Sequence, residues 1–301
     1  MDERTLRLLR SDERPLLEGF LHAQRDSSIF LLANARTAGL EDGELRYQGA
    51  YLGAFQGERL VGVVAHYWNG MLVLQAPGPE LEALVSAQRA RSPRALRGLI
   101  GPAAQVERAR AHLDLPVEQA ALDEPQGLYG LDLARLCLPA ALDASLRARR
   151  ARPGDEGRLA QWKLEYSLES LGEPDRPALR QECAQFAERA AAGGSTWVLE
   201  SEGERVAMSS FNAELTELVQ VGGVWTPPTL RGRGYARAVV GASLRDAQRA
   251  GCQRAVLFTG ESNAPAVRAY AALGFERVGD YRMFILPPPG LAPLPAAGRA
   301  T

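Results

Sequence analysis

Apolar residues along this chain fall into two patterns, short β-branched runs of strand length and longer stretches at helical spacing, and the two alternate. The alternation is clearest toward the C-terminus. Leu218 to Trp225 is an apolar run that Pro227 and Pro228 bring to an end, because neither proline can donate to a ladder. Ala236, Val240, Leu244 and Ala247 then recur at helical spacing, and Gly251 follows as a C-terminal cap. Ala255 to Thr259 is a second strand-length run, and Tyr281 to Leu286 reads as a last strand. Upstream, Asp155 to Leu171 and Ala178 to Ala192 read as helices, the first with Trp162, Leu164 and Leu168 on overlapping faces. Thr196 to Glu200 and Val206 to Asn212 read as a hairpin.

The first half repeats this order in faded form. Leu6 to Glu13 and Leu146 to Glu156 each pass from a strand pattern to acidic residues that open a helix. Tyr51 to Val61 and Trp197 to Ala207 each read as strand, turn, strand. Their shared turns, Gly57-Glu58-Arg59 and Gly203-Glu204-Arg205, lie 146 residues apart, close to one domain length. The expected organisation is two tandem domains of similar fold, residues 1–140 and 141–286, with the boundary at the turn beginning at Pro139. Residues 287–301, rich in proline and alanine without periodicity, are expected to form a flexible tail.

Between the strand ending at Trp225 and the next helix lies Arg231-Gly232-Arg233-Gly234-Tyr235-Ala236. Glycines let backbone N–H groups approach a ligand without Cβ obstruction, the helix start adds unpaired donors and a positive dipole end, and two arginines add charge. Such a turn suits a pyrophosphate. It lacks the Gly-Lys-Ser/Thr of a Walker loop, and Arg237 stands where a dinucleotide fingerprint needs its third glycine. The pattern Arg231-x-x-Gly234-x-Ala236 resembles the Arg/Gln-x-x-Gly-x-Gly/Ala loop of the GNAT family of N-acetyltransferases. A second motif of that family matches downstream, with Asn263, Ala266, Tyr270, Gly274 and Phe275 all in place. The resemblance covers Leu146 to Leu286 and implies a mixed α/β sheet of the acyl-CoA N-acyltransferase type, with acetyl-CoA as co-substrate and transfer of an acetyl group to a primary amine of a small molecule or peptide.

The resemblance also implies roles. The backbones of Val224, Trp225 and Thr226 would hold the pantetheine arm, with Gly222-Gly223 forming a bulge that frees them from the sheet. The N–H groups of Gly232, Arg233, Gly234, Tyr235 and Ala236 would hold the pyrophosphate, with Arg231 and Arg233 beside it. Asn263 would contact the cofactor, cap its helix, or both. Tyr270 would be the general acid for the departing thiolate, since a phenol is protonated near neutral pH. Many relatives carry a glutamate base where this chain has Gln220, which cannot take a proton. Glu217, Glu165, Glu169, or no dedicated base remain, and the two helix carboxylates read most simply as surface charges.

The first copy lacks the loop. After Met71 to Gln75 comes Ala76-Pro77-Gly78-Pro79-Glu80, with no arginine, one glycine and two prolines that remove donors. Glu80 and Glu82 would repel a phosphate, and no tyrosine lies on the helix expected from Pro102 to Leu113. This domain is expected to keep the fold without binding the cofactor, and to serve by covering a face of the second domain or completing its substrate cleft.

Composition narrows the picture further. A net charge of −1 gives no basic field for nucleic acid. Cys137, Cys183 and Cys252 are odd in number and widely separated, which suggests neither a disulfide framework nor a zinc site. His22, His66 and His112 all lie in the first half, so the half with the motifs has no histidine for base or metal work. No signal peptide or membrane-spanning run is apparent, so a monomer or homodimer in the cytoplasm is expected, without a metal, nucleic-acid or membrane partner. Two other readings stand beside acetyl transfer: a coenzyme A binding or sensing protein without catalysis, which Gln220 favours and Tyr270 opposes, and a nucleotide-binding module.

Overall fold

The computed structural model describes residues 4–43, 45–142 and 144–287. The expected tail at 288–301 lies outside the described residues. The chain forms two compact units, one of residues 1–127 and 279–301 and the other of residues 128–278.

The elements of the first half are β1 (Arg4–Leu8), α1 (Arg14–His22), α2 (Arg25–Ala38), β2 (Gly49–Gln56), β3 (Arg59–Tyr67), β4 (Met71–Gln75), α3 (Leu81–Arg91), β5 (Gly98–Pro102), α4 (Ala103–His112) and β6 (Leu122–Asp132). Those of the second half are β7 (Leu146–Arg150), α5 (Glu156–Ser170), α6 (Pro177–Ala191), β8 (Thr196–Ser201), β9 (Glu204–Glu214), β10 (Leu218–Trp225), α7 (Tyr235–Arg249), β11 (Arg254–Gly260), α8 (Ala264–Ala271) and β12 (Glu276–Ile285). The two halves share one order, β-α-α-β-β-β-α-β-α-β. The repeat is a mixed α/β fold: β4 with β5 and β10 with β11 run parallel, and the hairpins before them run antiparallel.

The last strand of each half is exchanged. In the first unit the sheet runs β1-β2-β3-β4-β5-β12, and β12 pairs antiparallel with β5 from Tyr281↔Pro102 to Ile285↔Gly98. In the second unit it runs β6-β11-β10-β9-β8-β7, with residues 128–132 supplying the β6 position. The final strand was expected in the second domain, because chain order is the natural guide to pairing. Its side chains fit the other core: Phe284 is fully buried with Leu72, Leu74, Leu84, Leu99 and Val106 of the first unit. Arg282 reinforces the placement by a bidentate pair to Asp123, at 2.6 and 2.7 Å.

Within the second unit the period-two alternation of each strand feeds a core on either face. Trp197 and Leu199 of β8 pack with Val239, Val240 and Leu244 of α7. Val198 between them packs with Leu159 and Trp162 of α5 and Ala187 of α6. On β10, Val219 and Val221 face the α7 core, so strict alternation would send Trp225 there too. It does not. The β9–β10 register shifts after Gln220 and again between Gly222 and Trp225, with Gly223 at φ +56°. This bulge inverts the alternation, so Val224 packs on the α7 core and Trp225 is buried in the α5–α6 core.

Candidate active site

The site begins where β10 leaves its neighbour. β10 pairs with β11 only from Leu218↔Arg254 to Gln220↔Val256, and no register joins them beyond that point. Gly222, Gly223, Val224 and Trp225 follow without a β11 partner, still paired with β9 at Gly222↔Ser210 and Trp225↔Met208, and Thr226 comes after the strand. The expected bulge is there. Thr226 Oγ1 is buried and has no hydrogen-bond partner.

The loop continues through a short 3₁₀ turn, Pro228–Leu230, to Arg231 and into α7. Gly232 and Gly234 adopt φ +80° and +78°, the left-handed region that L side chains enter at a cost of about 1–2 kcal/mol. A Cβ built on either glycine meets nothing within 4 Å, so these positions are glycine for conformation and stand over open space. Gly234 caps α7 without a side chain. Among the described residues no protein acceptor receives the N–H of Gly232, Arg233, Gly234, Tyr235, Ala236 or Arg237. A cradle of free donors at a helix start with full exposure at Gly232 and Gly234 fits the pyrophosphate of coenzyme A.

The two arginines divide. Arg233 is exposed and makes no ion pair or hydrogen bond among the described residues. Arg231, expected beside the phosphate, turns the other way. Its Nε donates to Thr226 O at 3.1 Å, its Nη2 lies 2.8 Å from Glu169 of α5, and its guanidinium stacks 4.9 Å from the Trp225 ring centre. The physical reason is competition: a carboxylate, a carbonyl and an aromatic face in reach outweigh open solvent. Glu169 and Glu165, taken from sequence as surface charges, are both engaged with this strand end, since Trp225 Nε1 donates to Glu165 Oε2 at 3.1 Å.

Tyr270 lies on α8, half-buried, packed against the α7 core and edge-on to Phe275 at 6.0 Å. Burial raises its hydroxyl pKa well above the usual range, and proximity to Tyr166 of α5 raises it further. The phenol therefore stays protonated. Tyr166 in turn sits edge-on to Trp225 at 6.5 Å. Asn263 caps α8, its Oδ1 accepting from Ala266 N at 3.3 Å, and is exposed. Gln220 is fully buried; its Nε2 donates to Val221 O at 2.7 Å and its Oε1 has no partner. Glu217 precedes β10, at the end of the strand far from the loop. Among the described residues no group of three His, Cys, Asp or Glu is arranged to hold a metal, and no helix is long and apolar enough to cross a membrane.

The mixed sheet, with the same order of elements in both halves and a glycine-rich helix start in the second alone, is the acyl-CoA N-acyltransferase-like fold. Residues 159–275 match the model of the Acetyltransferase (GNAT) family, whose members transfer acyl groups and use acetyl-CoA. Solved structures share the fold over nearly the whole chain. A Drosophila protein superposes with a TM-score of 0.67 at 14% identity, covering 95% of this chain and 99% of its own. A GCN5-related N-acetyltransferase from Sphaerobacter thermophilus gives 0.57 at 15% identity, covering 94% and 95%. A tandem GNAT protein from the clavulanic acid biosynthesis pathway gives 0.53 at 16% identity, covering 94% and 97%. No curated protein matches.

Proposed function

We propose that this protein is an N-acetyltransferase that moves an acetyl group from acetyl-CoA to a primary amine of a small molecule or peptide. The observation that carries the reading is the row of unbonded N–H groups from Gly232 to Arg237 at the start of α7, held open by two left-handed glycines. When bound, acetyl-CoA supplies the thioester and the leaving thiolate. The chain's own residues do the rest. The loop N–H groups and the α7 dipole fix the pyrophosphate, and exposed Arg233 adds charge. Past Gln220 β10 has no β11 partner, and the backbone from Val224 to the N–H of Thr226 bonds the pantetheine arm on that side, while Thr226 O is held by Arg231. Asn263 holds the start of α8, and Tyr270, kept protonated by burial, donates its proton to sulfur. The first unit, without an equivalent loop, serves as scaffold. The protein works in the cytoplasm, as a monomer or homodimer.

Gln220 favours a second reading, a coenzyme A sensor without catalysis, because a buried amide stands where a base would serve. One experiment separates the readings. Acetyl-CoA at about a hundredfold over its dissociation constant stabilises the folded state by roughly 2.7 kcal/mol, while ATP and NAD at the same concentration leave thermal unfolding unchanged. Tyr270→Phe then lowers amine-dependent thiol release about a hundredfold or more and keeps that stabilisation. Stabilisation without any thiol release supports the sensor; none with acetyl-CoA removes both readings.

A further inference from the structure

We infer that Glu165 is the catalytic residue that takes the proton from the acceptor amine, an inference that rests on the acyl-transfer reading. Three observations meet at this side chain. First, β10 offers no carboxylate: its one polar side chain, Gln220, at the last position paired with β11, is an amide locked to Val221 O. Second, α5 brings a carboxylate to the end of β10. Glu165 is half-buried, its Oε2 accepts from Trp225 Nε1 at 3.1 Å and its Oε1 from Gln161 Nε2 at 2.9 Å, so the carboxylate is held in place while each oxygen keeps a free lone-pair direction. Third, the next residue, Tyr166, lies against Trp225 and within electrostatic reach of Tyr270. Consecutive residues of α5 thus reach the two sides of the site, Glu165 the Trp225 indole at the end of β10 and Tyr166 both that ring and the surroundings of Tyr270.

The bulge explains why the arrangement exists. Without the extra residue at Gly222-Gly223, Trp225 would face α7 and its indole N–H could not reach α5. Glu169, one turn on, is neutralised by Arg231. Among the described residues Glu165 pairs with no cation, which leaves its carboxylate to receive a proton. The charged and titratable groups at this strand end are Glu169 and Arg231, which pair with each other, and Tyr166, which lies edge-on to Trp225. In the step, Glu165 takes a proton from the ammonium, and the neutral nitrogen bonds to the acetyl carbon as the carbon–sulfur bond breaks. The proton of Tyr270 passes to sulfur and the nitrogen's second proton passes to water. Water then restores Tyr270 and Glu165, and the sum is ammonium plus thioester to amide, thiol and one released proton.

The test compares two small amines that differ in protonation. Methylamine is almost wholly protonated at neutral pH and needs a base; hydroxylamine is not and does not. Thiol release from acetyl-CoA is followed with each, with the uncatalysed rate subtracted, for the wild type, Glu165→Gln and Glu169→Gln. The expected result is a fall of about a hundredfold or more with methylamine in Glu165→Gln, a small change with hydroxylamine, and partial recovery with methylamine as pH rises. Glu169→Gln keeps the wild-type preference between the amines. Coenzyme A affinity, measured by calorimetry, stays near wild type in Glu165→Gln and shows that the variant is folded. An equal loss with both amines, or no loss with methylamine, overturns Glu165 as the proton acceptor and leaves acetyl transfer standing. A wild type that releases thiol with neither amine overturns acetyl transfer and this inference together.

Discussion

The two halves of this chain carry the same elements in the same order, yet their loops before the third helix of each repeat have opposite character. From β10 to α7 the loop has nine residues, 226–234; from β4 to α3 it has five, 76–80. The long loop holds two left-handed glycines over open space and leaves the N–H groups of Gly232, Arg233 and Gly234 unbonded. The short one is closed by its own side chain. Glu80 is 7% exposed, and its carboxylate lies where a Cβ on Gly78 would stand. Arg108 of α4 fastens the short loop, with Nη2 donating to Gly78 O at 3.1 Å and to Glu82 at 2.8 Å. A carboxylate at the start of α3 satisfies the helix dipole internally and repels a second anion. Four residues and one glutamate thus separate an open row of N–H donors from a sealed corner, within the same order of elements.

The comparison breaks most visibly at the exchanged strand. Phe284→Ala should cost about 3–5 kcal/mol, as for other fully buried phenylalanines. Although Phe284 follows the second repeat in sequence, the loss of hydrogen-exchange protection should concentrate in residues 49–112, within the first unit. Loss centred on β8 to β10 would show that β12 belongs energetically with the second repeat.

Acid provides a smaller contrast. His66 is fully buried in the first unit, its Nε2–H donating to Gly70 O at 3.2 Å and its Nδ1 accepting from Ser92 Oγ at 2.8 Å. Burial, with Arg89 adding to it, lowers its pKa to about 4. An unfolded chain takes up the proton near pH 6.5 and the folded one near pH 4, so stability falls as pH drops through that window. The loss is roughly 3 kcal/mol. The second unit has no histidine, so exchange protection should fail first in the first unit. Equal loss in both would remove His66 as the cause.

The smallest effect sharpens the comparison at the loops themselves. Gly234→Ala forces a side chain into the left-handed region at about 1–2 kcal/mol. Coenzyme A affinity measured by calorimetry should fall about tenfold. Gly78→Ala should leave that affinity unchanged and disturb only Glu80.

Much of this was legible in the sequence. The spacing of Ala236, Val240 and Leu244 marks α7, the prolines after Trp225 end β10, and the Gly57 and Gly203 turns reveal the repeat. Those signals are local. β6 was not legible: Asp123, Glu124, Pro125 and Gly127 interrupt any alternation, and its strand form comes from pairing with distant residues. The exchange of β6 and β12 leaves no trace in either strand, since pairing partners are set by the tertiary fold. The same holds at the site. Glu165 and Glu169 sit on the charged face of an amphipathic helix and look like solvent residues, and periodicity does not say that a bulge will turn Trp225 and Arg231 toward them.

On the proposed function, one unit binds acyl-CoA through the 232–237 loop and the other does not. Hydrogen exchange with and without saturating coenzyme A, read alongside calorimetric stoichiometry, decides whether this is so. One site per chain is expected, with slowed exchange from Gly232 to Arg237, where the free amides have no protein acceptor, and residues 76–84 unchanged. Two sites per chain, or protection at residues 76–84 without protection at 232–237, would contradict it.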